Sequence, residues 1–331
     1  MQQLFLGAGK AIIPSGQQLF DGSSAQSTNW TVPAKVTAIS AVAVGAGGNG
    51  SQGYVSSYTH GGTGGNGGNL AYSNDIAVTP GETLVVISPN RPAQQSGSSN
   101  ADGHTGDPAG IKRGSTWILR AMGGKGGDYD RINATWNIYN ETGTGSQTTN
   151  IGDVVRIGGL GGCRRAPSTG ECFCGGGGAA GYSGGGGDGA VYVGGSTRNG
   201  VSSGAGSGGG GGGGGVPDNS GGCAGGGVGL LGEGSSGAGR SILYEGAYWS
   251  WGNRTYITGA PGSGGDIGYY SYDWTNYSHT EDFGGWGGKF GGGAGGQKNK
   301  SRNDWGRGGA GGVRIIYGTG RAYPSTRTAD E

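Results

Sequence analysis

The acidic side chains that could catalyse hydrolysis lie close together in one stretch of the chain. They are Asp266, Asp273, Glu281 and Asp282. A glycosidase needs two carboxyl groups that face each other at about 5–10 Å. Spacing along the chain does not establish such a pair, and acidic residues in polar loops are mostly solvated. We therefore expect no catalytic residue in this group.

The histidines do not suggest a catalytic or metal site either. His60, His104 and His279 lie in three separate segments. This distribution fits neither a Ser-His-Asp triad nor the short spacing of histidine metal ligands. We expect a protein that is not an enzyme and that binds no cofactor and no metal.

The cysteines offer cross-links or a zinc site. They are Cys163, Cys172, Cys174 and Cys223. A single residue separates Cys172 from Cys174, whereas zinc knuckles usually place roughly two to four residues between their cysteines. Bridges Cys163–Cys172 and Cys174–Cys223 would close a short loop and join two glycine-rich tracts. Because cytoplasmic thiols stay reduced until release, the sequence favours disulfides or buried thiols over zinc.

Three aromatic segments interrupt the glycine-rich part of the chain and are the candidate binding surfaces. Tyr and Trp offer a large contact area at low entropic cost, and their faces suit sugar rings. The alternative is that they cover the edges of the glycine-rich part or pack between protomers. The residues are Tyr129, Trp136 and Tyr139 in 129–140; Tyr244, Tyr248, Trp249, Trp251 and Tyr256 in 242–257; and Tyr269, Tyr270, Tyr272, Trp274 and Tyr277 in 267–279.

The composition excludes several classes of protein. The chain has 89 Gly among 331 residues, a net charge of +1 and 13% charged residues, so we expect no nucleic-acid partner and no attraction to anionic membranes. The glycines keep no three-residue register, which excludes collagen. The N-terminus lacks a signal-peptide pattern, and no run is long and apolar enough to span a membrane. We expect synthesis in a cytoplasm without membrane insertion.

Strand-like segments lie mainly towards the two ends of the chain. The C-terminal strand is too short to be stable alone, so we expect it to pair with N-terminal strands. The alternation in 35–45 slips at Ala38, which predicts a bulge there. The predicted strands lie in 3–6, 11–14, 17–20, 29–33, 35–45, 69–79, 83–88, 115–122, 153–157 and 313–317, with a turn at Pro80-Gly81-Glu82.

The glycine tracts between these strands predict a second type of structure. Ordering one residue costs about 1–2 kcal/mol of backbone entropy, and more for Gly. Polyproline-II-type helices of glycine offset this cost when several of them pack and hydrogen-bond side by side. We expect Gly211 and Gly212, within the run GGGGGGGG, to be interior positions of such a bundle. The alternative is a flexible linker.

The predicted fold class is therefore all-β with polyglycine-II helices and almost no α-helix. A jelly-roll-like β-sandwich, closed by the C-terminal strand, carries an inserted bundle of glycine helices. The predicted parts are a sandwich from 1–45, 69–122 and 311–320, a glycine-rich bundle from 123–310 with aromatic loops, and a C-terminal tail from 321–331.

Both ends of the chain resemble glycine-rich bacteriophage tail proteins. QLFLGAGKAI and NWTVPAKVTAISAVAVGAGGNG are similar to their openings, and GRGGAGGVRIIYGTGRAYPSTRTADE is similar to their C-terminal ending. The glycine-rich body resembles the polyglycine-II tip adhesins of T-even-like phages. This resemblance implies a virion protein of the tail or fibre tip, whose exposed loops select a receptor on the host surface.

The resemblance also implies the partners. They are a host surface glycan or outer-membrane protein and other phage tail proteins, with a homotrimer as one assembly. The alternative from a different class is a structural decoration, capping or baseplate protein whose loops contact other virion subunits. A third alternative is a polysaccharide depolymerase.

Overall fold

The computed structural model describes residues 14–23, 26–51, 55–56, 58–59, 62–93, 102–128, 149–162, 174–191, 203–214, 222–239, 259–263, 265, 285–296 and 306–325. Within these ranges the regular structure is β, and none of it is α-helix. The strands are β1 (Gly16–Phe20), β2 (Ser27–Thr31), β3 (Ala38–Val44), β4 (Val55–Ser56), β5 (Tyr58–Thr59), β6 (Leu70–Ala77), β7 (Thr83–Ile87), β8 (Ala109–Arg113), β9 (Thr116–Ala121), β10 (Val154–Arg156) and β11 (Gly312–Tyr317).

The strands form two main antiparallel sheets. The first has the order β1-β11-β3-β6-β10 and the second the order β2-β7-β8-β9, while β4 and β5 pair with each other. The C-terminal strand β11 lies between β1 and β3, with Gly16 opposite Tyr317 and Gly312 opposite Val44. The prediction that the last strand pairs with N-terminal strands is confirmed. Its apolar residues require this central place, because Val313, Ile315 and Ile316 are all 0% exposed.

The central strands of the first sheet, β3 and β11, are buried on both faces. Alternate residues of a strand point to opposite faces, and in β3 Ile39 and Ala41 belong to a core that also contains Leu84 of β7 and Leu119 of β9. Side chains of both sheets thus share one core. The other face of β3 presents Val42 and Val44, which pack with glycine-rich segments through residues such as Tyr182 and Leu230. The first sheet therefore joins the second sheet to the glycine-rich part.

Two details of the strands differ from the sequence prediction. The register of β3 with β6 shifts between Ile39 and Ala41, not at Ala38. Ser40, at the shift, is buried, and its hydroxyl donates to the Arg321 carbonyl at 3.2 Å. Strand β8 was not predicted, because AGIKR has a single large apolar residue that lies between glycine and charged residues. The turn at Pro80-Gly81 is confirmed, with Gly81 at a φ of 81°.

The C-terminal residues after β11 also belong to the packed structure. Arg321 and Tyr323, which the sequence placed in a polar tail, are 9% and 3% exposed. The Arg321 guanidinium donates to the Gly16 carbonyl at 2.5 Å, and the Glu233 N–H donates to the Pro324 carbonyl at 2.8 Å. The chain up to Pro324 is therefore held against the first sheet and the glycine-rich part.

Candidate functional site

The glycine-rich segments continue directly from the strands of the sheets. The segment 45–51 follows β3, 62–69 precedes β6, and 122–128 follows β9. In the same way 157–162 follows β10 and 306–311 precedes β11. One end of each of these segments is thereby fixed by a strand.

The backbone hydrogen bonds of the segment 45–51 repeat every third residue. Successive N–H groups donate to three different neighbouring segments, and the fourth N–H returns to the first neighbour. The acceptors, in order from Gly45 to Ser51, are the carbonyl groups of Asn69, Asp107, Gly309, Asn66, His104, Gly306 and Thr63, at 2.9–3.3 Å. This backbone satisfies its donors by lateral bonds, without any internal bond.

The segment 175–180 shows the same repeat in the middle of the glycine-rich part. From Gly175 onward its N–H groups donate in turn to three neighbours, and its carbonyl groups accept from others. Segments therefore surround it on all sides, and the hydrogen-bonded neighbours are 65–68, 159–162, 187–190, 211–214, 223–226 and 293–296.

Close approach between these backbones requires glycine at many positions. A Cβ added at Gly211 would lie 2.2 Å from the Gly226 carbonyl oxygen, and one at Gly212 would lie 2.1 Å from the Ala238 carbonyl oxygen. Real Cβ atoms essentially never come within 3.0 Å of another heavy atom. The neighbouring backbone would have to move to admit any side chain at either position.

The run of eight glycines does not form one straight segment. Gly208 and Gly209 have φ angles of 52° and 79°, and the Gly210 N–H donates to the Ser207 carbonyl at 2.9 Å. These two residues form a tight turn with left-handed backbone, which favours glycine. The extended segment begins after the turn and includes Gly211 and Gly212.

Asparagine side chains extend the hydrogen-bond network, which the sequence analysis did not anticipate. The Oδ1 atoms of Asn49, Asn66 and Asn69 accept the N–H groups of residues 308, 161 and 158, at 2.9, 2.8 and 3.2 Å. Each amide thus satisfies a backbone donor of another segment. In the sequence, these bonds could have been inferred only from the presence of asparagines inside glycine tracts.

The ends of the segments that point away from the sheets are hydrogen-bonded to one another. We call this the distal end, and it comprises Ser51, Thr63, Asp128, Gly162, Cys174, Ala190, Gly214, Gly222, Gly285, Gly296 and Gly306. Examples of the bonds are Ser51 N–H to Thr63 O at 2.9 Å, Gly162 N–H to Gly175 O at 2.8 Å, Ala190 N–H to Gly214 O at 2.8 Å and Gly222 N–H to Gly296 O at 3.0 Å. Several of the longer inserts of the sequence follow or precede these residues, while the insert 240–258 lies between Gly239 and Gly259.

The predicted aromatic site residues lie outside the described residues, but residues next to each segment are described. The insert 129–148 follows Asp128, whose carbonyl accepts a bond from the Thr63 hydroxyl at 3.1 Å. The insert 240–258 precedes Gly259, whose N–H donates to Ala224 O at 2.9 Å. The insert 266–284 precedes Gly285, whose N–H donates to Gly222 O at 3.0 Å. The last two inserts thus adjoin the same segment, 222–227.

Of the other predicted site residues, some lie outside the described residues and some lie within them. Cys163 and Cys172 lie outside the described residues, as do the acidic residues of 266–282. Cys174 and Cys223 are each 1% exposed and lie in neighbouring segments, since the Gly176 N–H donates to the Cys223 carbonyl at 2.9 Å. Their pairing stays a prediction. Among the described residues no group of histidine, cysteine and acidic side chains could hold a metal ion.

Three ionisable groups with shifted pKa values, Asp21, Tyr182 and Tyr323, lie where the sheets meet the glycine-rich part. The Ser23 hydroxyl at 2.5 Å and the Lys289 ammonium at 2.9 Å lower the pKa of Asp21 to about 2. Burial raises the pKa of Tyr182 and of Tyr323, and their rings stack with centroids 5.9 Å apart. These contacts join segments that are distant in the sequence.

The fold and these segment ends define a nearly all-β chain whose glycine-rich segments are hydrogen-bonded side by side. No protein family matches the chain, and no curated protein is significantly similar to it. In the described ranges there is no helix with the length and apolar character needed to cross a membrane.

Proposed function

We propose that this chain is a bacteriophage tail or fibre-tip adhesin that binds a receptor on the host surface. The observation that carries the proposal is the distal end, where the described ends of the glycine-rich segments meet and where the aromatic inserts 129–148 and 266–284 adjoin Asp128 and Gly285. Loops held by a rigid scaffold are the usual place for recognition. The opposite part of the molecule has tight turns, such as Pro80-Gly81 and Gly114-Ser115.

The scaffold in this proposal is a bundle of polyglycine-II helices attached to a β-sandwich. A backbone with three residues per turn and no internal hydrogen bonds presents its N–H groups in three directions. The three-residue repeat of acceptors in 45–51 and 175–180 supports this geometry. The core shared by both sheets supports the sandwich.

The binding surface in this proposal is formed mainly by two aromatic inserts. The inserts 240–258 and 266–284 adjoin the same segment through Gly259 and Gly285. The first contains Tyr248, Trp249, Trp251 and Tyr256, and the second contains Tyr269, Tyr270, Tyr272, Trp274 and Tyr277. Such residues supply large contact areas to a glycan or to an outer-membrane protein. The insert 129–148 follows Asp128, in another part of the distal end.

Replacement of residues 267–279 by a Gly/Ser sequence of equal length tests the proposal. Particles that carry this variant are expected to contain the subunit at normal copy number and to lose adsorption to host cells. The control replaces residues 196–202, which fall in the sequence between the described residues Val191 and Ser203 and contain no aromatic residue, and it is expected to adsorb normally.

Two outcomes would overturn the adhesin proposal. Unchanged adsorption and host range of the 267–279 variant would remove that insert from the binding surface. Particles that lack the subunit, or that fail to assemble, would favour a structural decoration or capping protein whose inserts contact other virion subunits. Immunoblots of purified particles separate these two results.

A further inference from the structure

The second sheet has one face in the core and one face outside it. Successive residues of a strand point to opposite faces, and Val86 of β7 and Leu119 of β9 are core residues. Their neighbours Val85, Ile87 and Arg120, which are partly exposed, therefore lie on the opposite face. We call it the outer face, and its apolar and basic residues are Val85, Ile87, Lys112, Trp117, Arg120 and Ile151.

The strand register places two basic residues beside a tryptophan on the outer face. Lys112 of β8 is paired with Val85 of β7 on one side and with Trp117 of β9 on the other. The Lys112 Nζ lies over the tryptophan ring, 4.4 Å from its centroid, and the Arg120 Cζ lies 5.2 Å from the same centroid. The faces of a tryptophan ring attract cations at these distances. The ring and the two positive charges therefore form one cluster.

Neither cation of this cluster has an acidic partner in the described part of the chain. Arg113, next to Lys112, forms an ion pair with Glu82 at 2.5 Å. By contrast, Lys112 and Arg120 form no ion pair with any described acidic residue. The outer face thus carries positive charge that the described residues do not neutralise.

Aliphatic side chains lie on both sides of Arg120 on the outer face. Ile87 is paired with Gly110, and Gly110 is paired with Arg120. Because Gly110 has no side chain, none separates Ile87 from Arg120 on this face. On the other side Ile151 is bridged to Arg120 and is 39% exposed. Apolar and basic side chains therefore lie next to one another across an exposed sheet surface.

We propose that the outer face binds a protein partner whose contact surface combines acidic side chains with apolar ones. Carboxylates of the partner pair with Lys112 and Arg120, and its apolar side chains cover Ile87 and Ile151. Arginine and aromatic residues are enriched in protein interfaces, and complementary charges fix the register of the two surfaces. The outer face shares no residue with the distal end, so this inference does not depend on the adhesin proposal.

The same face is less suited to an acidic glycan or to nucleic acid. A sugar ring stacks on an open aromatic face, whereas the Trp117 ring already has two cations over it. Affinity for nucleic acid grows with the number of phosphates that Lys and Arg neutralise, and this cluster contains only these two basic residues. Aliphatic residues such as Val85 and Ile87 add contact area to a protein partner but not to a polyanion.

Fluorescence anisotropy with the purified full-length chain tests the proposal. The probe is a short fluorescein-labelled peptide of alternating glutamate and leucine. Two control peptides replace either the glutamates by lysine or the leucines by serine, and labelled polygalacturonate represents an acidic glycan. The Glu/Leu peptide is expected to bind, and each control peptide is expected to bind at least about tenfold more weakly, because the face requires both negative charge and apolar contact.

Charge variants locate the binding of the Glu/Leu peptide. Lys112→Glu is expected to melt like the parent and to weaken binding at least about tenfold. Lys112→Gln, which removes the charge without reversing it, is expected to give a smaller loss. The matched control is Lys35→Glu, which makes the same charge change at an exposed residue before β3 and is expected to bind like the parent.

Three results would overturn the proposal. The first is a parent chain that does not bind the Glu/Leu peptide. The second is equal affinity of Lys112→Glu and Lys35→Glu, which would place the binding on another surface. The third is tighter binding of polygalacturonate than of the peptide, which would assign the outer face to acidic glycans.

Discussion

Asn74 and Tyr323 are bound to each other by two reciprocal hydrogen bonds. The Asn74 Nδ2 donates to the Tyr323 carbonyl at 2.8 Å, and the Tyr323 N–H donates to Asn74 Oδ1 at 2.9 Å. A single side chain of β6 thus satisfies both backbone groups of a residue near the C-terminus. The bonds direct the Tyr323 ring into the core beside Tyr72 and Tyr182.

Replacement of Asn74 by Ala is expected to destabilise the protein by about 1–3 kcal/mol, because two hydrogen bonds are lost and a buried backbone group has no other acceptor. Urea unfolding followed by tryptophan fluorescence measures the change. Asn29, exposed on β2, is the control, and Asn29→Ala is expected to stay within about 0.5 kcal/mol of the parent. Equal stability of the two variants would show that the C-terminal residues are held by other contacts.

Replacement of Gly212 by Ala is expected to destabilise the protein strongly. The new methyl would lie 2.1 Å from the Ala238 carbonyl oxygen, so two backbones must separate. Overpacking of this kind typically costs about 1–3 kcal/mol, and occasionally more. The matched control is Gly185→Ala, whose methyl would lie 3.2 Å from the Ile157 oxygen, its one close neighbour.

The comparison of melting temperatures isolates the effect of close packing, because both glycines lie in glycine-rich segments and neither has a left-handed backbone. Gly185→Ala is expected to melt within a few degrees of the parent. If Gly212→Ala melts at the same temperature as Gly185→Ala, the segment 210–214 is not tightly packed.

Tyr182 tests the core between the first sheet and the glycine-rich part. Its hydroxyl donates to the Gly229 carbonyl at 3.0 Å and accepts the Gly232 N–H at 3.1 Å, and the side chain is 0% exposed. Tyr182→Phe leaves both backbone groups unsatisfied, so we expect a loss of about 1–3 kcal/mol in the free energy of unfolding. Tyr323→Phe removes a single bond of 3.5 Å and is expected to cost less. Urea unfolding measures both losses. A larger loss for Tyr323→Phe than for Tyr182→Phe would contradict the role given to the Tyr182 hydroxyl.

The sequence predicted the strands better than the arrangement of the glycine-rich segments. Alternating apolar residues and turn residues locate β3, β7 and β11, because these patterns reflect burial on known faces. Glycine has no side chain, so a tract such as 175–180 carries no pattern that selects its neighbours. Those neighbours are set by backbone hydrogen bonds between segments far apart in the chain.

The sequence identified the aromatic inserts of the candidate site but not their positions in the fold. Aromatic residues such as Trp249 and Trp274 stand out against a glycine background, which marks the inserts without giving their positions. The hydrogen bonds of Gly259 and Gly285 show that the inserts 240–258 and 266–284 adjoin one segment. No local sequence pattern predicts these bonds. The hydrogen bonds of Asn49 and Asn66 were missed because the acceptor side chain and its donor are distant in sequence.

Asp21 is expected to stabilise the protein in a pH-dependent manner. Its pKa falls from an ordinary value of 3.8 to about 2 in the folded protein, first because Ser23 donates hydrogen bonds to it and then because Lys289 lies 2.9 Å away. A carboxyl with a lowered pKa binds its proton more weakly in the folded state. Its contribution is therefore complete above about pH 4 and is lost as the pH falls through 3.8 towards 2.

The variant Asp21→Asn keeps the size of the side chain and removes this titration. We expect it to be less stable than the parent at pH 7, and we expect the difference to shrink as the pH falls from about 4 through 2, because the carboxyl of the folded parent is half protonated near pH 2. Urea unfolding at a series of pH values measures the convergence. When Lys289→Met is already present, Asp21→Asn is expected to cause a smaller loss of stability at pH 7. Some loss remains because Ser23 still donates its hydrogen bonds to Asp21. A constant difference between the parent and Asp21→Asn from pH 7 to pH 2 would show that the carboxylate charge does not stabilise the fold.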